Sequence, residues 1–180
     1  MASPKPFDPV KLVCGIISAA DEHFREAEAR LEALHGPIDL RSPAFDFTIT
    51  DYYEPQMGAG LKRKFLSFAN LIDPARLAAI KIETNALEEK IRADLGLGFR
   101  AVNIDPGIVT PAALIMATAK DFSHRVPLQH GIYAHLEFLF SRNGMHFLSW
   151  TYPDFRQDGY VRFFLEVRNA YFAERKKPGR

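Results

Sequence analysis

The sequence predicts an α+β protein, a mixed α/β sandwich built as one domain. Three observations carry that prediction. Short segments switch between the two-residue period of strands and the three-to-four-residue spacing of helices. A length of 180 residues is usual for one hydrophobic core. Hydrophobic residues at 47% and charged residues at 25% match the globular average, so frayed tails are expected only near residues 1–9 and 174–180.

The elements follow in order. "KLVCGIIS" (11–18) is an apolar strand. A helix follows it, with Phe24, Ala27, Leu31 and Leu34 on one face, Asp21 as its cap and Gly36-Pro37 as its stop. "AFDFTITDYY" (44–53) alternates Phe45, Phe47 and Ile49 with polar residues, the period of a half-buried strand. "LKRKFLSFANLI" (61–72) is the next strand. Residues 73–96 make a long helix with Asp73 at the cap, Pro74 at its first position and Gly96 past its end; Ile80, Ile82 and Thr84 leave a break near its middle as an alternative.

"RAVNID" (100–105) is a strand ending at Pro106-Gly107, and "TPAALIMATAKDF" then predicts a short buried helix with a Thr cap. Residues 131–152 form a hairpin about Asn143-Gly144, the strongest short-range hairpin signal. "DGYVRFFLEVRNAYFAERKK" closes the chain as a helix. The βαββαβ start is the element order of a ferredoxin-like fold, with the hairpin and the C-terminal helix added.

Several function classes are disfavoured. A formal net charge of +1 lacks the basic excess of proteins that coat nucleic acid. A single cysteine, Cys14, excludes an intramolecular disulfide and an all-Cys metal site; its apolar setting predicts a buried structural thiol. The polar, Pro-rich N-terminus does not read as a signal peptide. No run approaches the ~20 apolar residues of a membrane span, so a cytoplasmic protein without membrane association is expected. There is no GxxxxGK[ST] loop and no GxGxxG after a strand, hence no motif for P-loop nucleotide, NAD or FAD binding. HExxH, GxSxG and Cys/His metal spacings are absent too. The six histidines are scattered, and His135, at an alternating strand position, is expected on the surface or half-buried.

Three polar clusters break the binary pattern. In the first, Asp51, Tyr52 and Tyr53 end a strand while Lys62 and Arg63 begin the next, offering aromatic faces and cations for a phosphate or carboxylate. In the second, Asn103 and Asp105 share a strand face, and Lys120, Asp121, His124 and Arg125 follow shortly after. An Asp-His pair suits general acid–base work while Lys120 and Arg125 hold an anion; the candidate catalytic residues are therefore Asp105, Asp121 and His124. The same carboxylates would also suit a divalent metal. In the third, Trp150 and Tyr152 follow the hairpin around a proline turn, an arrangement commoner at a core rim than on a ligand platform.

The blocks "TDYYEPQMGAGLKRKFLSF", "NIDPGIVT", "ATAKDFSHRV", "GIYAHLEF" and "WTYPDF" together resemble an uncharacterised bacterial family catalogued only as a domain of unknown function. The resemblance covers nearly the whole chain and implies no reaction or ligand. From the residues, the first expectation is binding or turnover of a small anionic or phosphorylated ligand, for example a nucleotide, at strand ends. It requires the strand ends carrying Asp51 and Asp105 to meet. The alternative is a non-catalytic interaction module or homo-oligomeric subunit that uses the aromatics of the hairpin (Phe138, Phe140, Phe147, Trp150) and terminal helix (Phe163, Phe164, Tyr171, Phe172). RNA binding ranks third.

Overall fold

One antiparallel sheet organises the chain. A computed structural model describes residues 3–142 and 144–176. In chain order the elements are β1 (Val10–Ser18), α1 (Asp21–His35), β2 (Ile38–Arg41), β3 (Phe45–Asp46), α2 (Glu54–Met57), β4 (Lys62–Ile72), α3 (Leu77–Asp94), β5 (Asn103–Val109), β6 (Ala113–Thr118), β7 (Val126–Pro127), β8 (Tyr133–Ser141), β9 (Gly144–Phe147) and α4 (Asp158–Arg175). The sheet runs β2-β4-β1-β5-β6-β8-β7, with β3 beside β4 and β9 beside β8.

β1 is an interior strand, between β4 and β5, and is buried along its whole length. Its alternate side chains serve two cores. Leu12, Cys14 and Ile16 pack with Phe24 and Leu31 of α1 and Ile80 and Ile91 of α3. Val13 faces the other side, among Phe65, Phe138, Phe155, Phe163 and Phe164 beneath α4. Cys14 is a buried free thiol, and burial pushes its pKa up. The aromatic core takes in Phe138 and Phe140 of the hairpin and Phe163 and Phe164 of the terminal helix, and Tyr171 is buried as well.

Several local expectations are corrected. The "TPAALIMAT" run is strand β6. Thr110 makes the bonds of a cap, accepting at Oγ1 from the N–H groups of Ala112 and Ala113, but in a tight turn where Thr110 N–H also donates to Ala113 O. A continuous apolar run has no period to tell helix from strand, and the turn decides. Similarly, "NIDPG" does not end a strand: β5 continues through Pro106 and Gly107, paired with Cys14 and Val13 of β1. Gly107 is needed because a Cβ there would meet Met116 Sδ and, at 2.9 Å, Ile115 O.

The "AFDFTITDYY" strand is shorter than its alternation suggests. Only Phe45 and Asp46 pair with β4; the chain then turns at Thr50–Tyr52 and enters α2, with proline in its first turn. β2 carried no signal distinct enough to be recognised. Helix α1 starts at Ala20 with no side-chain cap, and Asp21 sits in its first turn. Asp73 caps a 3-10 turn at Pro74–Arg76, accepting from Ala75 N–H, rather than the long helix; α3 follows from Leu77 with no side-chain cap and runs unbroken. The hairpin pairs Ser141 with Gly144; Asn143 lies outside the described residues. So do residues 1–2 and 177–180 of the expected tails, whereas 174–175 are the last turn of α4. Among the described residues, no helix is long and apolar enough to cross a membrane.

Candidate functional site

The sheet divides between β5 and β6, and the reason lies in two residues. Ladder pairs join Gly107, Ile108 and Val109 to Met116, Ile115 and Leu114, and stop there. The next donor toward β6 would be Pro106, which has no N–H. One step further, Ile104 turns its polar backbone to helix α3: its N–H donates to Glu88 Oε1 at 2.7 Å, and its carbonyl accepts from Lys81 Nζ at 2.7 Å. Two α3 side chains thus stand in for a missing strand, as buried backbone groups require.

A cavity of about 510 Å³ occupies this split, within the range of small-molecule sites. Its wall draws on β5 (Asn103, Asp105), β6 (Met116 to Thr118), β8 (His135, Glu137), β4 (Arg63, Phe65), the loop bearing Tyr52 and Tyr53, and the 3-10 turn bearing Asp154 and Phe155. β1 contributes Gly15, where a Cβ would come within 3.1 Å of the Phe65 ring.

A chain of polar contacts runs along the β5 side. Arg100 ion-pairs with Glu88 and donates to Asn103 Oδ1 at 2.6 Å. Asn103 donates to Asp105 Oδ2 at 2.6 Å, and Lys81 to Asp105 Oδ1 at 3.1 Å. Burial pushes Asp105 up, but Lys81, Arg63 and the hydrogen bonds from Lys81 and Asn103 outweigh it and hold its carboxyl below the ordinary value. Burial dominates at Glu88 and raises it, against Arg100 and Lys81. Opposite, buried Arg63 ion-pairs with Asp154, its guanidinium 4.4 Å from the Phe47 ring centroid. Burial lifts the Asp154 carboxyl, with Arg63 opposing. Its second oxygen, Oδ1, is buried with no hydrogen-bond partner among the described residues. Burial also raises Tyr53.

At the mouth the cations have no carboxylate partner. Arg125 donates to Lys120 O at 2.7 Å, to Tyr152 Oη at 2.8 Å and to His135 Nδ1 at 3.3 Å. Lys120 Nζ stands 3.7 Å over the Tyr52 ring, a cation–π contact. Neither residue enters a salt bridge among the described residues, while the deeper cations Arg63, Lys81 and Arg100 all do.

The residues picked out from sequence separate accordingly. Tyr52, Tyr53, Arg63, Asn103, Asp105, Lys120, Arg125 and Tyr152 line this cavity. His124 and Trp150 stand beside it, their rings stacked at 5.1 Å, with His124 Nε2 3.2 Å from His135 Nδ1. Asp51, Lys62 and Asp121 are exposed and off the wall. Arg63 and Asp105 are committed to partners, and His124 pairs with His135 rather than with Asp121. Among the described residues no group of three His, Cys, Asp or Glu side chains is placed to hold a metal.

A match to a family model covers residues 8–171, nearly the whole chain. The chain belongs to the family described as "Domain of unknown function (DUF4416)". No curated protein and no solved structure matches it.

The site geometry includes residues that spacing alone did not flag: Lys81, Asn85, Arg100, His135 and Glu137. His135 is 2% exposed, not the surface or half-buried residue expected. The cause is a register slip. Leu114 faces Phe138 and Ile115 faces Leu136, so Glu137 is an extra residue in β8. Such a bulge re-aims side chains, and here it lets His135, Glu137 and Phe138 reach one side of the sheet.

Proposed function

We propose that this DUF4416 chain binds, and in binding prepares for turnover, a small anionic ligand carrying a phosphate or similar group, with its charge at Arg125 and Lys120. One observation carries the reading: these two cations point at a cavity of ligand size and, among the described residues, lack carboxylate partners, whereas the deeper cations Arg63, Lys81 and Arg100 are neutralised. Arginine presents a planar donor fork suited to phosphate and lysine a point charge. The Tyr52 and Tyr152 rings flank them and favour a ligand with a flat or apolar body, of which a nucleotide is the leading example.

The interaction-module alternative has less behind it. Most of the rings that would form its surface are in the core, and Trp150 is partly engaged through Nε1 donating to Leu136 O at 2.8 Å.

The test is a thermal-shift screen that pairs phosphorylated compounds with their dephosphorylated counterparts: AMP with adenosine, ribose 5-phosphate with ribose. At a hundredfold its Kd a ligand adds about 2.7 kcal/mol, which moves the midpoint of a domain this size by roughly 5–10 °C. The phosphorylated member is expected to shift the midpoint, and Arg125→Ala and Lys120→Ala to remove the shift while leaving the unliganded midpoint near wild type. Equal shifts within each pair, or shifts that survive both substitutions, contradict the reading.

A further inference from the structure

Three groups in the cavity wall form a line that anion binding alone does not require. His135 Nε2 lies 3.0 Å from Glu137 Oε2, and both side chains are at most 3% exposed. The approach is close enough for an ion pair yet angled away from a hydrogen bond, so Nε2 has no hydrogen-bonding partner among the described residues. Glu137 is fixed by Tyr152 N–H, which donates to its Oε1 at 2.7 Å. On the other side of the ring, His135 Nδ1 is 3.3 Å from Arg125 Nε and 3.2 Å from His124 Nε2.

Arginine can only donate. Nδ1 of His135 is therefore the acceptor, and the ring proton resides on Nε2, toward Glu137. A carboxylate beside one imidazole nitrogen and a lone pair on the other is an arrangement in which the carboxylate stabilises the imidazolium that a histidine base becomes. The ring is held in place as well: Tyr152 stacks on it at 5.4 Å with 18° between planes.

We propose that Glu137 and His135 form a proton-accepting chain in the cavity wall, with His124 beside it, in which His135 Nδ1 takes up a proton when an anion engages Arg125. The proposal rests on the anion-binding reading of the same cavity. The charged and titratable groups that face the pair are Arg125 from the 119–125 loop, Glu137 from β8, and Tyr152 and Asp154 from the segment after the hairpin. In the ligand-free protein burial, His135 and the Arg125 charge together hold the His124 pKa below its ordinary value.

An anion that takes the guanidinium cancels that charge and draws its N–H from Nδ1. The proton then enters between a bound anion and Glu137, both of which stabilise the imidazolium. With a ligand that does not titrate, the proton comes from the medium. With a ligand that presents an O–H beside its anionic group, Nδ1 is placed to accept that proton, which is the work of a general base. The site is then equipped for acid–base chemistry as well as for binding.

Histidine ring ¹⁵N NMR on the intact chain tests this, with inorganic sulfate as the probe because it does not titrate near neutrality. Without sulfate, His135 should carry its proton on Nε2. Sulfate should move the Lys120 and Arg125 amides and, at fixed pH, convert the imidazole pair from neutral to imidazolium. That conversion should survive His124→Gln, since His135 is the acceptor, and be lost in Glu137→Gln. Because Glu137 is buried and its variant can misfold, the wild-type spectra also decide. A ligand-free His135 protonated on Nδ1, or sulfate that moves the Lys120 and Arg125 amides while both rings stay neutral, overturns the proton chain and leaves the anion site standing. Sulfate that perturbs neither amides nor rings at saturating concentrations overturns both.

Discussion

Arg63 exchanges water for the Asp154 carboxylate and the faces of Phe47, Phe65 and Phe155. Breaking a buried pair leaves an uncompensated charge, so Asp154→Ala is expected to cost about 3–5 kcal/mol, while a double replacement by apolar residues of similar volume should cost far less. Denaturant midpoints of the two variants give the comparison. Acid stability follows from individual groups as well. His35 is buried against Phe68 with no hydrogen-bond partner for Nε2 among the described residues, and burial lowers its pKa below 6.5; His124 is lowered too. Below pH 6.5 the unfolded chain binds these protons more tightly than the folded one. The stability they contribute is thus complete above that pH and lost as pH falls. Asp105, lowered from 3.8, adds a loss at still lower pH. His35→Leu should keep more of its neutral-pH stability at about pH 5.5 than wild type does; superimposable pH curves would contradict the assignment.

At the scale of elements, β5 shows how a strand can be half in a sheet. Glu88 and Lys81 of α3 satisfy Ile104 where β6 does not. Glu88→Ala removes the acceptor of a buried N–H and a partner of Arg100, at an expected cost of about 1–3 kcal/mol. The Ile104 amide should lose its hydrogen-exchange protection in that variant while the Val109 amide keeps its own. Much of this layer was legible in the sequence. The amphipathic pattern gave α1, the Asp-Pro pair marked the 3-10 turn that leads into α3, and Asn-Gly marked the β8–β9 hairpin. The failures have physical causes: the Thr-Pro pair before β6 makes capping bonds in a turn as readily as in a helix, and the Asp-Pro-Gly of β5 only ends the ladder on one side.

In the whole molecule, α1 and α3 cover one face of the sheet, while the aromatic core beneath α4 fills part of the other and the cavity occupies the remainder. Sequence clusters far apart in the chain meet there because β4, β5 and β6 bring Arg63, Asp105 and Thr118 toward the same side. Pattern alone found the residues that interrupt apolar runs, such as Asn103, Lys120 and Arg125. It passed over Lys81 and Glu137: one interrupts a helix that otherwise reads as amphipathic, and the other depends on a one-residue bulge in β8. The measurement that bears most directly on the central claim is amide NMR mapping of the intact chain with AMP, ribose 5-phosphate and pyrophosphate. The account predicts that at least one of them perturbs residues 50–53, 103–105, 117–125 and 152–154 together, and that Arg125→Ala abolishes the pattern. Perturbations confined to surfaces away from the β5–β6 split, or none with any of the three, would contradict it.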